Sequence, residues 1–135
     1  MRSATAAALA RSPQRAQALV ELVLVSTVLL VVVFAVFEGV WWAYAQNVVT
    51  AAVQDGAQRA SAQNGDLQSG QRRAQELLNA GLGPSAALVQ LRVTAEGQTV
   101  RVTATGQWPL ATIAGAQFAL PLRAEARMAR EVWQP

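Results

Sequence analysis

The feature that most constrains this chain is an apolar run near its N-terminus. Leu22 to Phe37 is sixteen residues without a charge, dominated by valine and leucine. Glu38 interrupts it, and the sequence GVWWAYA then continues the apolar character to Ala45. A helix needs ~20 residues to cross ~30 Å of hydrocarbon, so Leu22 to about Trp42 is long enough if Glu38 lies near one edge. The run therefore predicts a membrane-spanning helix.

The residues on either side of the run predict its orientation. Three arginines precede it with no acidic residue among them, which predicts a cytoplasmic N-terminus and a globular part outside the cytoplasm. At the far end, aromatic side chains are typical of a membrane–water interface. These interface candidates are Trp41, Trp42 and Tyr44.

Two other interpretations of the run stay open. One is a buried helix of a soluble protein, although so long an apolar run is unusual in a chain of 135 residues. The other is a signal peptide, since Ala43-Tyr44-Ala45 imitates a cleavage site and cutting after Ala45 would release a secreted soluble domain. Against it, the run is long for a signal peptide and Glu38 precedes the site. We favour a retained anchor helix.

Beyond Ala45 the helix is predicted to continue as an amphipathic segment. Small and apolar residues recur along one face at three- and four-residue steps. Within that face, Ala52, Gly56 and Ala60 are four apart, so another backbone could approach closely. Either a helix of another subunit packs there or this face covers the protein's own sheet, and the sequence favours neither. We expect one helix of about 45 residues, ended by the turn-forming sequence NGDLQSG.

The remaining residues predict a second helix and a sheet. QRRAQELLNAGL, residues 71–82, has helical periodicity. Residues 89–105 alternate apolar with polar around a tight turn, which predicts a β-hairpin. Residues 118–128 alternate likewise as a third strand, in which Pro121 indicates an edge position or a bulge. The segment WPLATIAGA, residues 108–116, is predicted to be a linker.

The fold class is therefore α+β, with a long transmembrane and amphipathic helix, a short helix and a small antiparallel sheet packed on them. We divide the chain into a basic leader (1–16), a transmembrane helix (17–45) and an extracytoplasmic domain (46–135).

Composition excludes several classes of function. The chain has no cysteine and no histidine, which removes thiol nucleophiles, Ser-His-Asp triads and most transition-metal sites. No nucleotide-binding or hydrolase motif occurs, and the carboxylates are scattered. We expect no catalytic residues, no cofactor and no metal. Residues 46–135 carry a charge of only about +2, which gives no nucleic-acid footprint.

Three stretches together resemble the TadE family of minor pilins from tight-adherence (Flp) pilus systems. RAQALVELVLV, residues 15–25, is similar to the family's usual start, R-G-Q-A-L-V-E-F. Glu38 and the later AAVQDGA, residues 51–57, resemble the family's E-F-G-R and A-A-R-E-G-A-R segments at the same spacing. The segment LRAEARMARE, residues 122–131, is similar to the family's final strand with its terminal acidic residue.

The resemblance implies a role for Glu21. In this superfamily a prepilin peptidase cuts just before the apolar segment, and the fifth residue of the mature chain is glutamate. Cutting between Ala16 and Gln17 would give Glu21 that position. Residues four apart are neighbours on a helix, so this carboxylate could pair with the new amine of Gln17 or with that of an adjacent subunit. An ordinary flanking acid among lipid headgroups is the alternative.

Glu38 is the second acid that the resemblance assigns to assembly, as a buried group needing a partner. A position at the membrane interface is the alternative.

The sequence departs from the family pattern at three points. Ala16 stands where glycine is usual, Asp55 replaces a glutamate, and Gly39-Val40-Trp41 follows Glu38 without the family's arginine.

The resemblance implies a structural minor pilin or pseudopilin that initiates, caps or anchors a Tad/Flp pilus. Its partners would be other pilin subunits, the prepilin peptidase, membrane lipid and the pilus assembly machinery. It would lie in the bacterial cytoplasmic membrane or in the extracellular pilus. A non-polymerising bitopic protein that binds an envelope partner and a secreted domain are the alternatives.

Overall fold

One continuous helix forms the first half of the molecule. The computed structural model describes residues 3–113 and 115–130, with side chains for residues 14–110 and 115–130. The helix, α1, covers Ser3–Ser61 without a break, so the prediction of one helix that continues past Ala45 is confirmed. It is longer than predicted because its first turns include most of the proposed leader. Met1, Arg2 and the closing Glu131 lie outside the described residues.

The chain divides into two compact units, Met1–Gly39 and Val40–Pro135. The second unit starts within α1, six residues before the predicted domain start at Gln46. Its first residues pack on the rest of that unit, and Ala45 is completely buried. Compactness does not locate a membrane surface, so the predicted boundaries of the spanning segment stay predictions.

The turn after α1 is built from short polar residues. The Gly65 N–H donates to the Ala62 carbonyl at 2.8 Å, and a side chain at Gly65 would collide with the last carbonyls of α1, so glycine is required there. Asp66 then caps the second helix, α2, which covers Leu67–Leu82. Its carboxylate accepts from the Ser69 N–H, and the Ser69 hydroxyl lies 3.2 Å from the Asp66 N–H in a capping box. The predicted start at residue 71 was therefore four residues late.

The sheet has three antiparallel strands in sequential order. A short 3-10 helix, Gly83–Leu88, leads from α2 to β1, Val89–Glu96, and two-residue turns then connect β2, Thr99–Ile113, and β3, Ala116–Ala129. The first hairpin is confirmed, with Glu96 opposite Thr99 and Gly97 at φ 62° in the turn. Pro121 lies in β3, an edge strand, as predicted.

The prediction of a linker at residues 108–116 was wrong. β2 continues to Ile113 and pairs with β3 along its whole length, so most of this segment is strand. Pro109 and Gly115 suggested a loop, but each has a place in a hairpin. A register shift between Pro109 and Ala111 accommodates the proline, and Gly115, at φ 82°, makes the second turn.

The apolar face of the sheet is covered by helices of the same unit, as the alternating pattern required. The core combines α1, α2 and the inward positions of all three strands. Its largest completely buried side chains are Leu78, Leu122, Val49, Val53, Val100 and Val102. The second half of α1 thus serves as the central packing element of an α+β domain.

α1 also covers part of the open edge of β3. The Gln46 side-chain amide donates to the Arg123 carbonyl at 2.6 Å, and its oxygen accepts from the Arg123 N–H at 3.3 Å. One glutamine side chain thus makes the two hydrogen bonds that a neighbouring strand would make. The backbone N–H and C=O groups of successive β3 residues point to opposite edges of the strand. Only every second residue of β3 can therefore make this contact with α1.

We expect Gln46→Ala to lower the free energy of unfolding of the second unit by about 1 kcal/mol, since water can partly replace the lost partners. Asn47→Ala is the matched control, because Asn47 is exposed on the next position of the same helix, and it should change stability by less than about 0.5 kcal/mol. Urea unfolding followed by circular dichroism in detergent would measure both. Equal effects would show that Gln46 holds nothing in place.

Candidate functional site

The first half of α1 is bare apolar surface. Every large hydrophobic side chain from Leu19 to Phe37 is between 46 and 67% exposed. Ser26 and Thr27 are the uncharged polar residues of this stretch, and their hydroxyls both donate to the Val23 carbonyl, at 3.0 and 2.7 Å. Hydroxyls satisfied within the helix suit a lipid environment, where water is absent. Within the described residues, one helix is long and apolar enough to cross a membrane.

The predicted processing residues lie on this bare segment. Ala16, Gln17 and Glu21 are all exposed, and the Ala16–Gln17 peptide bond lies within α1. Gln17 and Glu21 are one helical turn apart on the same face, as the predicted pairing with a new amine requires. Glu21 is the only charged residue between Arg15 and Glu38. Glu38 lies seventeen residues further along, and its side chain is half-buried.

The three aromatic residues predicted for the membrane interface have different environments. Trp41 is 57% exposed and meets Tyr44 edge to face, with ring centroids 6.2 Å apart. The half-buried Trp42 donates from Nε1 to the Pro121 carbonyl at 3.3 Å, and the Tyr44 hydroxyl donates to the Gly81 carbonyl at 3.1 Å. Two of the three therefore bind α1 to β3 and α2, which the sequence did not predict.

The small-residue series is buried against α2. Ala52, Gly56 and Ala60 are covered within the second unit. A Cβ added at Gly56 would lie 2.8 Å from the Ala74 Cβ, and one added at Gly70 would lie 2.5 Å from the Ala60 Cβ. The two helices therefore approach with glycine facing small residues on both sides. In this conformation the series holds the domain together and is not open to another subunit.

Sequence reasoning missed the partners of this series. Gly70, Ala74 and Leu78 are also four apart and are buried in α2. Two series of small and apolar residues at the same spacing are a signal that one helix packs on the other. Gln46 carried no such signal, because a single polar residue on a helix does not indicate a sheet edge.

Several charged side chains of the second unit form ion pairs at its surface. Arg73 pairs with Asp55 at 2.5 Å and with Glu76 at 3.7 Å, joining α1 to α2. Across the polar face of the sheet, Arg101 and Arg127 contact acidic side chains of β1 and β3. Such exposed pairs add little stability, but they account for these charges without a ligand.

Three charged side chains of the second unit have pKa values that neighbouring groups shift. The Arg127 guanidinium lowers the pKa of Glu125, and the Ser69 backbone N–H lowers that of Asp66. The hydrogen bond to Asp55 raises the pKa of Arg73. Among residues 14–110 and 115–130, no three acidic side chains gather in a group that could hold a metal.

The structure thus has an exposed apolar helix that continues as the packing element of a small α+β domain. In the comparison with known families, the family described as TadE-like protein matches residues 16–58. The predicted resemblance is therefore confirmed over this segment, which holds Glu21, Glu38 and two members of the small-residue series. No match was found among curated proteins or among solved structures.

The TadE-like match implies a part in a Tad pilus system, a structural class of protein, with pilus components as the general kind of partner. The apolar helix and the match together indicate membrane anchoring. The matched segment is about a third of the chain and ends within α1. It does not reach α2 or the sheet.

Proposed function

We propose that this protein is a minor pilin or pseudopilin that takes part in the assembly of a Tad/Flp pilus by initiating, capping or anchoring it. Its bare helix would lie in the bacterial cytoplasmic membrane, with the N-terminus cytoplasmic and the α+β domain outside. From there the subunit would pass into the pilus by exchanging lipid contacts for contacts with neighbouring helices. Its partners would be pilin subunits, the prepilin peptidase and the assembly machinery.

One observation supports this proposal above the others. Glu21 is the lone charge on an uncovered apolar surface, one turn after Gln17, and both lie in the TadE-like segment. A carboxylate at such a position is costly in lipid unless it has a partner. Cleavage between Ala16 and Gln17 would create a positive amine on the same helical face. Pairing with that amine, in the same subunit or an adjacent one, would relieve the cost when the subunits are in register.

The N-terminus of the protein from its native host tests the processing step. We expect intact mass and N-terminal sequencing to give a chain that begins at Gln17. A strain without the prepilin peptidase is the control and should retain the leader. A chain that keeps the leader in both strains would instead support a permanent bitopic anchor. A chain beginning at Gln46 would mean a secreted protein, although that cut would remove Trp42, Tyr44 and the buried Ala45 from their contacts.

Glu21→Ala tests the assembly step separately. We expect the variant to be processed and inserted normally, but its incorporation into pili should fall roughly tenfold to a hundredfold, as loss of a charged hydrogen bond of about 1.5–3 kcal/mol would give. Immunoblotting of sheared pili against the membrane fraction would measure it.

Glu76→Ala is the matched control, because Glu76 is an exposed acid on α2 with only a 3.7 Å ion pair. It should assemble like the unchanged protein. Normal assembly of Glu21→Ala would remove the proposed role of Glu21 and favour the bitopic binding protein.

A further inference from the structure

The charges of the second unit are confined to part of its length. Three long stretches contain no acidic or basic residue: 39–54 in α1, 77–91 from α2 into β1, and 102–122 from β2 into β3. The contacts bring all three to the end of the unit where α1 enters. Tyr44 of the first stretch bonds Gly81 of the second, and Trp42 bonds Pro121 of the third.

The hydrogen bonds also give the direction of the hairpin. Trp42 lies beside Pro121 and Gln46 beside Arg123, so β3 runs in the same direction as α1. The residues of β3 before Pro121 therefore extend past Trp42, away from the charged end. Pro121 lies five positions after Ala116, which is about 16 Å at the rise of a strand. Along α1, Val40 is only about 3 Å beyond Trp42.

This end of the β2–β3 hairpin, residues 108–120, is apolar in sequence, and its residues 115–119 are exposed. Thr112 and Gln117 are its only polar side chains. Ala116 to Ala119 are exposed on both faces of the ribbon, and Phe118 is 52% exposed. Leu88, 43% exposed, lies with Phe118 along a shallow groove of about 310 Å³ that Pro109 and Leu110 also line. Exposed apolar surface of this kind marks a binding surface.

We propose that the end of this hairpin inserts into the outer membrane–water interface beside the point where α1 emerges, as a second lipid contact. The proposal rests on the membrane anchoring proposed above. The apolar run of α1 ends at Phe37, and the second unit begins three residues later at Val40, so chain connectivity keeps the charge-free end of this unit close to the end of the apolar run, with Glu38 between them. Lipid is the occupant because a charged side chain is costly in hydrocarbon, and all three stretches at this end lack charge.

The backbone limits the depth of insertion. β1 begins at Val89, opposite Gly106, so beyond that pair the hairpin has only two strands and two open edges. Unpaired N–H and C=O groups are not tolerated in the hydrocarbon core, but headgroups and water can satisfy them. The hairpin therefore lies about 5–10 Å deep, at the boundary of headgroups and acyl chains. Without cations there, its binding should not depend on anionic lipid or on salt.

Single spin labels in the full chain test this inference, since the protein has no cysteine of its own. Phe118→Cys reports on the hairpin, and Ala129→Cys, exposed at the other end of the same strand, is the matched control. Leu29→Cys, 62% exposed in the apolar run, reports on anchoring. The labelled proteins would be placed in phosphatidylethanolamine–phosphatidylglycerol vesicles. Collisions with oxygen and with a water-soluble nickel chelate would then be compared.

We expect the oxygen-to-nickel ratio at Phe118 to exceed that at Ala129 by roughly tenfold, because a polar chelate is excluded from apolar surroundings. Gln117→Cys should agree, and it removes no apolar side chain. Nickel access at Phe118 equal to that at Ala129 would overturn the inference, and shielding from both reagents would overturn it in favour of contact with a second copy. A water-exposed label at Leu29 would instead refute the anchoring.

Discussion

Leu78→Ala should destabilise the second unit by about 2–5 kcal/mol, the range measured for removing a large side chain from a packed core. Leu78 is completely buried one turn before the end of α2, where it joins the core formed with α1 and the sheet. Neither helix can close the space, because α1 and α2 are already held at close approach by Gly56 and Gly70. The loss is a large fraction of the stability of a small domain.

Thermal unfolding followed by circular dichroism in detergent micelles would measure the effect, as a fall in Tm on the order of 10 °C or more. Leu77→Ala is the matched control, since Leu77 is the neighbouring leucine on α2 and only partly buried. It should cost less than about 1.5 kcal/mol. Equal losses at the two positions would mean that α2 packs by a different face.

The long helix and the hairpins could be foreseen because each has a repeated pattern. The apolar run and the steps of three and four residues after it fix a helix whatever it packs against. The alternation from Val89 onward likewise fixes strands, with Gly97 at the turn. Such patterns depend on burial along a whole element, so single exceptions such as Glu38 do not disturb them.

The predictions of secondary structure were wrong where a residue type is compatible with two different local structures. Asp66 and Ser69 are turn residues by type, yet here they form a capping box that starts α2 four residues early. Pro109 suggested a loop, yet a register shift accommodates it within β2. Secondary-structure propensity describes which local conformations a residue tolerates. The tertiary contacts of the residue decide which of these conformations it adopts.

Some features of the candidate site could likewise be predicted from the sequence, and others could not. The spacing from Gln17 to Glu21 and the exposure of the run were readable from the sequence. The partner of the small-residue series was not, because small residues every fourth position show only that some backbone comes close. The structure supplies that partner as α2. With the series occupied, the bare half of α1 is the surface left for the assembly contacts that we propose.

Gly70→Ala should therefore destabilise the domain by about 1–3 kcal/mol, although alanine is the better helix former by about 1 kcal/mol. The new Cβ would lie 2.5 Å from the Ala60 Cβ and 2.6 Å from the Gly56 carbonyl oxygen, so the helices must move apart. Gly39→Ala is the control in open space, with nothing within 4 Å, and should be neutral or slightly stabilising.

A second substitution separates crowding from other causes. Ala60→Gly removes one of the two collisions of Gly70→Ala, while the collision with the Gly56 carbonyl remains. The double variant should accordingly be less destabilised than the sum of the two single variants, with a coupling of about 0.5–3 kcal/mol in a double-mutant cycle. Strict additivity in urea unfolding would mean that α1 and α2 do not meet at these residues. In that case the small-residue series would again be free to pack on another subunit.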